Sequence, residues 1–255
     1  MVIGGAIAVV IFVGVLLCLK AGRWIGERAI ARFGTVGSTI TSLEAAVFAL
    51  LGLMIAFTFS GALTRFDVRR AQVVQEANAI GTAWLRIDLL PAAAQPKLRD
   101  TFRAYVDARI ATYRKLPNLK AARDELARSE ELQQQIWVQA VAAVRMPKGR
   151  PEAELLLVPA LNDMFDITTT RVAATQMHPP TVIYAMLIAL ALVAALLAGY
   201  QSAGEKGYAW IHKIAFATIV ALTVYVILDI EYPRLGLVRI DAIDQLLIDV
   251  RAGMK

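Results

Sequence analysis

Four stretches of this chain are apolar for long enough to cross a bilayer: Val2–Leu19, Leu43–Leu63, Thr181–Tyr200 and Ile211–Leu228. At about 1.5 Å of rise per helical residue, each matches the roughly 30 Å of a hydrocarbon core. Glu44, at one end of the second stretch, and Lys213, at one end of the fourth, are the only charged residues in any of them. A backbone placed in hydrocarbon must satisfy its own hydrogen bonds, so such stretches have to be helices. Of the 255 residues, 58% are hydrophobic and 19% charged, too apolar a balance for a soluble domain of this size. The first stretch is read as a span rather than a cleaved leader, because it lacks a basic n-region and outruns a typical h-region. Cys18 lies inside that span, and the residues before it offer no small side chain for lipoprotein processing.

The predicted class is therefore all-α, an integral membrane protein with four transmembrane helices and a large helical extramembrane region between spans two and three. The divisions expected are 1–63 for the first helix pair, 64–180 for the extramembrane region, 181–228 for the second pair, and 229–255 for an amphipathic C-terminal helix. In "RRAQVVQEANAIGTAWLRIDLLP", Val73, Ala77, Ile80, Trp84 and Ile87 fall on one stripe before Pro91, so the second span is expected to continue outward as one long helix. A further helix begins near Pro96 and carries Leu98, Phe102, Tyr105, Arg109 and Tyr113 at helical spacing. Another follows Asn118 as its cap, and after the loop "MPKGRPE" the last of the region starts at Pro151, with Pro159 inside it.

Charge excludes some partners. The net charge of +6 is scattered among acidic residues rather than gathered in a block, which disfavours nucleic acid and suits a membrane surface. The basic residues give no net orientation: Lys20, Arg23, Arg28 and Arg32 follow the first span, while Arg65, Arg69, Arg70, Arg234 and Arg239 flank the opposite side. No nucleophile elbow, phosphate loop or metal-ligand spacing is present, and His178 and His212 stand at the entrances of successive antiparallel spans. The chain is read as no enzyme, with no cofactor and no metal.

The second span, "LEAAVFALLGLMIAFTFSGALTRF", is the most informative stretch. Thr41 and Glu44 match a capping box. Ala45, Ala49, Gly52, Ala56 and Ser60 form a narrow stripe of small residues that admits a close helix neighbour. Leu51, Ile55 and Phe59 repeat every fourth residue; such a column either ring-gates a pore by excluding water or makes ordinary lipid and helix contacts. Arg65, Arg69 and Arg70 form a basic collar suited to lipid headgroups or to attracting anions. Asn78, Asn162 and Asp166 are polar residues placed to bond between helices. Asp229 and Glu231 end the fourth span, Pro233 turns the chain, and beyond it Leu235, Ile240, Ile243, Leu246 and Leu247 oppose Asp241, Asp244 and Asp249. These acids either pair with Arg69 or Arg70, or line an ion path, or bind a hard cation.

Together "FTFSGALTRFDVRR", "EANAIGTAWLRIDLLP", "LNDMFDITTTR", "HPP" and "VYVILDIEYPRLGLVRIDAIDQLL" resemble the bestrophin-like family of bacterial membrane proteins. The resemblance covers nearly the whole chain from the second span onward. It implies an oligomer, by analogy with bestrophins a pentamer, that conducts small inorganic anions such as chloride through a pore lined by the second span, in the bacterial inner membrane. Leu51, Ile55 and Phe59 match the spacing of the bestrophin neck, with Leu53 and Phe57 as the competing pair. The consecutive acids of the animal calcium clasp are absent, since Pro233 follows Asp229 and Glu231. The alternatives are a non-conducting scaffold or sensor that binds a partner through its helical region, or a cation channel.

Overall fold

A computed structural model of the chain describes residues 2–34, 38–147, 150–203, 210–234 and 236–255, with only the backbone of 2, 3, 38–40 and 241. Leu235, Lys148 and Gly149 lie outside the described residues, as does the Asp241 side chain. The elements are α1 (Val2–Phe33), α2 (Ser38–Arg86), a 3₁₀ turn (Ile87–Leu89), α3 (Gln95–Arg114), α4 (Leu119–Val144), α5 (Pro151–Gln176), α6 (Thr181–Gln201), α7 (Trp210–Glu231) and α8 (Asp241–Gly253). No strand occurs among the described residues, and four helices are long and apolar enough to cross a membrane.

Local chemistry accounts for most of these boundaries. Pro91 follows the 3₁₀ turn that ends α2, and Pro96 sits in the first turn of α3, where its missing N–H costs nothing. Asn118 caps α4 by accepting from the Ala121 N–H at 3.1 Å. Pro151 opens α5, which runs through Pro159, and Pro179 and Pro180 separate α5 from α6. The expected cap at Thr41 is corrected: α2 begins at Ser38, and the Thr41 hydroxyl inside its first turns accepts from Gln201 Nε2 at 2.9 Å.

The chain divides into two compact units, residues 1–66 with 178–238 and residues 67–177 with 239–255. In the first, α1 packs along α6 and α7. A side chain on Gly22 would strike the Leu196 carbonyl, one on Gly199 the Leu19 carbonyl, and one on Gly26 the Tyr200 carbonyl. Glycine is therefore what lets the α1 and α6 backbones touch. Position 14 meets Leu192 and position 26 meets Tyr200, so the two helices run parallel; Gly4 meets Tyr225, so α7 runs antiparallel to both. Val15, Leu19, Leu187, Ala191, Ala194, Ala195, Ala217 and Ile227 fill the core between them.

The second unit buries the stripes that the sequence marks out. Val73, Ile80 and Ile87 of α2 and its following turn are wholly buried, as are Phe102 and Tyr105 of α3. Ile136 of α4, Leu157, Leu161 and Met164 of α5, and Leu247 of α8 complete this core. Each such side chain contributes about 1.5–3 kcal/mol by leaving water.

Candidate ion path and buried charge clusters

Within the first unit, α2 turns one face inward and leaves the other bare. Leu51 and Ala62 are buried in the core, with Val47, Phe48, Met54, Ile55 and Phe66 packed against it, and Phe48 meets Phe216 edge to face at 5.7 Å. At about 100° per residue, Ala49, Leu53, Ala56 and Ser60 then point directly away from that core. All four are exposed, as are Ala45, Gly52 and Phe57, and a side chain added at Gly52 would meet nothing within 4 Å. Only 11% of the apolar window of α2 is covered by its own chain, against 44% for α7.

The column expected at Leu51, Ile55 and Phe59 is split by this rotation. Leu51 is 4% exposed and faces the core of its own unit, Ile55 is half-buried, and Phe59 stands at the flank with 39% exposed. The competing pair, Leu53 and Phe57, is 51% and 67% exposed.

The three arginines after the span do not form an open collar. Arg65 is clamped on Glu231, its Nε donating at 2.9 Å and its Nη2 at 2.7 Å to Oε2. Glu231 is wholly buried, and its Oε1 lies 2.9 Å from His178 Nδ1, with the His178 ring 4.5 Å from that of Tyr232. Arg69 is buried and donates to the carbonyls of Ala174 and Met177, both at 3.2 Å. Arg70 remains exposed, with Asp67 at 3.5 Å. Bidentate geometry and burial make the Arg65–Glu231 pair a fixed joint between α2 and α7.

Asp229 is occupied by backbone. Its carboxylate accepts from the Leu237 N–H at 2.9 Å and the Val238 N–H at 2.7 Å, closing the turn that Pro233 starts. Gly236 is required there, since any side chain would enter the Asp229 carboxylate. Asp229 is thus held by backbone, and Glu231 by Arg65 and His178. Asp244 lies 3.8 Å from Arg171 Nη2. Asn78, Asn162 and Asp166 are exposed on α2 and α5.

The second unit holds a cluster that sequence reasoning passed over. Glu76 of α2 is fully buried and receives Arg109 Nε of α3 at 2.6 Å on one oxygen and Arg171 Nη1 of α5 on the other. Arg109 Nη2 donates to the Tyr113 hydroxyl at 3.0 Å, and the Arg171 guanidinium lies over the Tyr113 ring at 4.2 Å. Burial alone would raise the Glu76 carboxyl; the two guanidiniums outweigh it and hold the group below the usual carboxylate range. Beside them, burial pushes the Tyr105 phenol up, and its oxygen lies 3.0 Å from Thr168 Oγ1. The sequence signal was available: Glu76 and Arg109 each sit within an apolar stripe where a charge has no reason to be unless it meets a partner.

Among the described residues no group of three or more His, Cys, Asp or Glu could hold a metal ion.

A family model described as the bestrophin-like domain matches residues 7–243. Crystal structures of two substitution variants of a bacterial bestrophin homologue from Klebsiella pneumoniae are similar in fold. One has a TM-score of 0.73 at 12% identity, covering 96% of this chain and 97% of that one. The other has a TM-score of 0.69 at 14% identity, covering 95% and 99%. A third similar structure, described as a membrane protein, has a TM-score of 0.65 at 13% identity over 94% of this chain and 98% of that chain. No curated protein matches.

Proposed function

Because the chain belongs to the bestrophin-like domain family, we propose that it assembles with copies of itself, five around one axis, into a channel for small inorganic anions in the bacterial inner membrane. The observation that carries this reading is the bare outward face of α2. A membrane helix that buries Leu51 and Ala62 and leaves Ala49, Gly52, Leu53, Ala56 and Ser60 uncovered has a face shaped for another helix or for an aqueous axis.

In this reading the small residues let neighbouring α2 helices approach, and the large side chains that stand outward form the constriction. Those are Leu53 and Phe57, with Phe59 at the flank and Ile55 behind it; Leu51 supports the helix from the core side. Of the three arginines proposed to attract anions, Arg70 is assigned that role on its exposure, while Arg65 and Arg69 hold α2 to its neighbours. Asn78, Asn162 and Asp166 are proposed to bond between subunits. Asp229 and Glu231 act as structural acids, and with both carboxylates engaged nothing favours a cation path through them.

Chloride efflux from proteoliposomes tests the constriction. Leu53→Ala with Phe57→Ala is expected to speed efflux several-fold, because smaller side chains no longer exclude water from the axis. Ile55→Ala is expected to change stability more than efflux. If no variant on the outward face alters efflux while the oligomer stays intact, the stripe serves assembly alone and the protein is a scaffold.

A further inference from the structure

At the end of the first unit away from Glu231, the outward face of α1 changes character abruptly. Val15, Leu19, Gly22 and Gly26 turn toward α6. On the opposite side of α1, at helical spacing, Val9, Val13 and Leu17 are 62%, 46% and 61% exposed. The same ridge continues without a break as Lys20, Trp24 and Arg28, all exposed. The Arg28 guanidinium does not extend along the helix; it folds back over the Trp24 ring, 3.3 Å from its centroid. Arg23, one position from Trp24, is neutralised by Glu27 at 2.7 Å, so Lys20 and Arg28 are the net charges of this ridge.

We propose that Lys20, Trp24 and Arg28 form a binding site for an anionic phospholipid, with the headgroup phosphate between the two cations and the acyl chains along Leu17, Val13 and Val9. The depth fits. The apolar part of α1 from Val2 to Leu19 spans about 27 Å, so Lys20 emerges where hydrocarbon ends and headgroups begin. Trp24 is one turn further, at the depth favoured by indole rings, and the stack on Trp24 draws the Arg28 charge back to that level. Charge complementarity selects an anionic lipid over a zwitterionic one, at about 1 kcal/mol per basic residue near a surface. A second copy of the chain docked across this ridge by two-fold symmetry would set cations against cations, and the face of α2 suits a copy better.

The test is thermal unfolding of the full chain in neutral detergent with added phosphatidylglycerol, phosphatidylcholine or inorganic phosphate. Phosphatidylglycerol should raise Tm, and neither of the others should. In Lys20→Gln/Arg28→Gln that rise should fall to about half or less, as expected when a site rather than bulk detergent holds the lipid. The control Lys120→Gln/Arg123→Gln, exposed on α4, should keep the full rise. The proposal is overturned if phosphatidylcholine matches phosphatidylglycerol, if inorganic phosphate reproduces the rise, or if both double variants behave alike. It is equally overturned if Lys20→Gln/Arg28→Gln changes the oligomeric state and leaves the lipid-induced rise intact.

Discussion

Glu76 is the residue on which the second unit depends most. Two guanidiniums from different helices, Arg109 and Arg171, converge on its two oxygens, all three side chains being buried. Removing Glu76 strands two guanidiniums in the core. Glu76→Met is expected to cost about 3–5 kcal/mol, whereas Asp88→Asn, which removes an exposed partner of Arg99, should cost about 0–1 kcal/mol. Thermal unfolding in detergent distinguishes them. The depressed Glu76 carboxyl fixes a pH dependence: the folded state prefers the anion, so the contribution is fully present above the unfolded pKa of about 4.3. It is lost as pH falls through the lower folded value. Wild type should lose stability below about pH 4.3 by a component that Glu76→Gln lacks. The apolar stripes around Glu76 and Arg109 were legible in the sequence, yet their pairing was not, because it joins residues 33 apart on separate helices. Arg171, 95 residues from Glu76, carries even less local signal.

At the scale of elements, two helix faces rich in small residues behave differently. On α1 and α6, Gly22 and Gly199 each press against the other helix's backbone carbonyl. Gly22→Leu should prevent α1 from packing and abolish the folded subunit, seen as loss of a monodisperse peak on size-exclusion chromatography. On α2, a side chain added at Gly52 would meet nothing within 4 Å inside the subunit. Gly52→Leu should therefore leave the subunit folded and disrupt the oligomer, read by light scattering; an intact oligomer would remove the proposed subunit contact from this face. Helix existence and most helix ends were readable from apolar period and from Pro91, Pro96, Asn118 and Pro151, since these act through local geometry. The face that α2 presents was not. Its small stripe and its four-residue column were both visible, but the face it buries is fixed by partners such as Phe216 and Glu231, which follow more than a hundred residues later. The partners of Arg65 and Arg69 were hidden for the same reason: Glu231, Ala174 and Met177 are remote in sequence.

For the whole molecule, the apolar spans, the family and the fold agree on a multi-pass helical membrane protein of the bestrophin-like family. The central claim is that copies of it enclose an anion path along the outward face of α2. That claim is tested most directly by the reversal potential of the purified protein in a planar bilayer under a KCl gradient. The account predicts a potential close to the equilibrium potential of chloride, shifting little when Asp229 is replaced by Asn. A potential close to that of potassium, or a folded oligomer whose Leu53→Ala/Phe57→Ala variant passes no current, would contradict it.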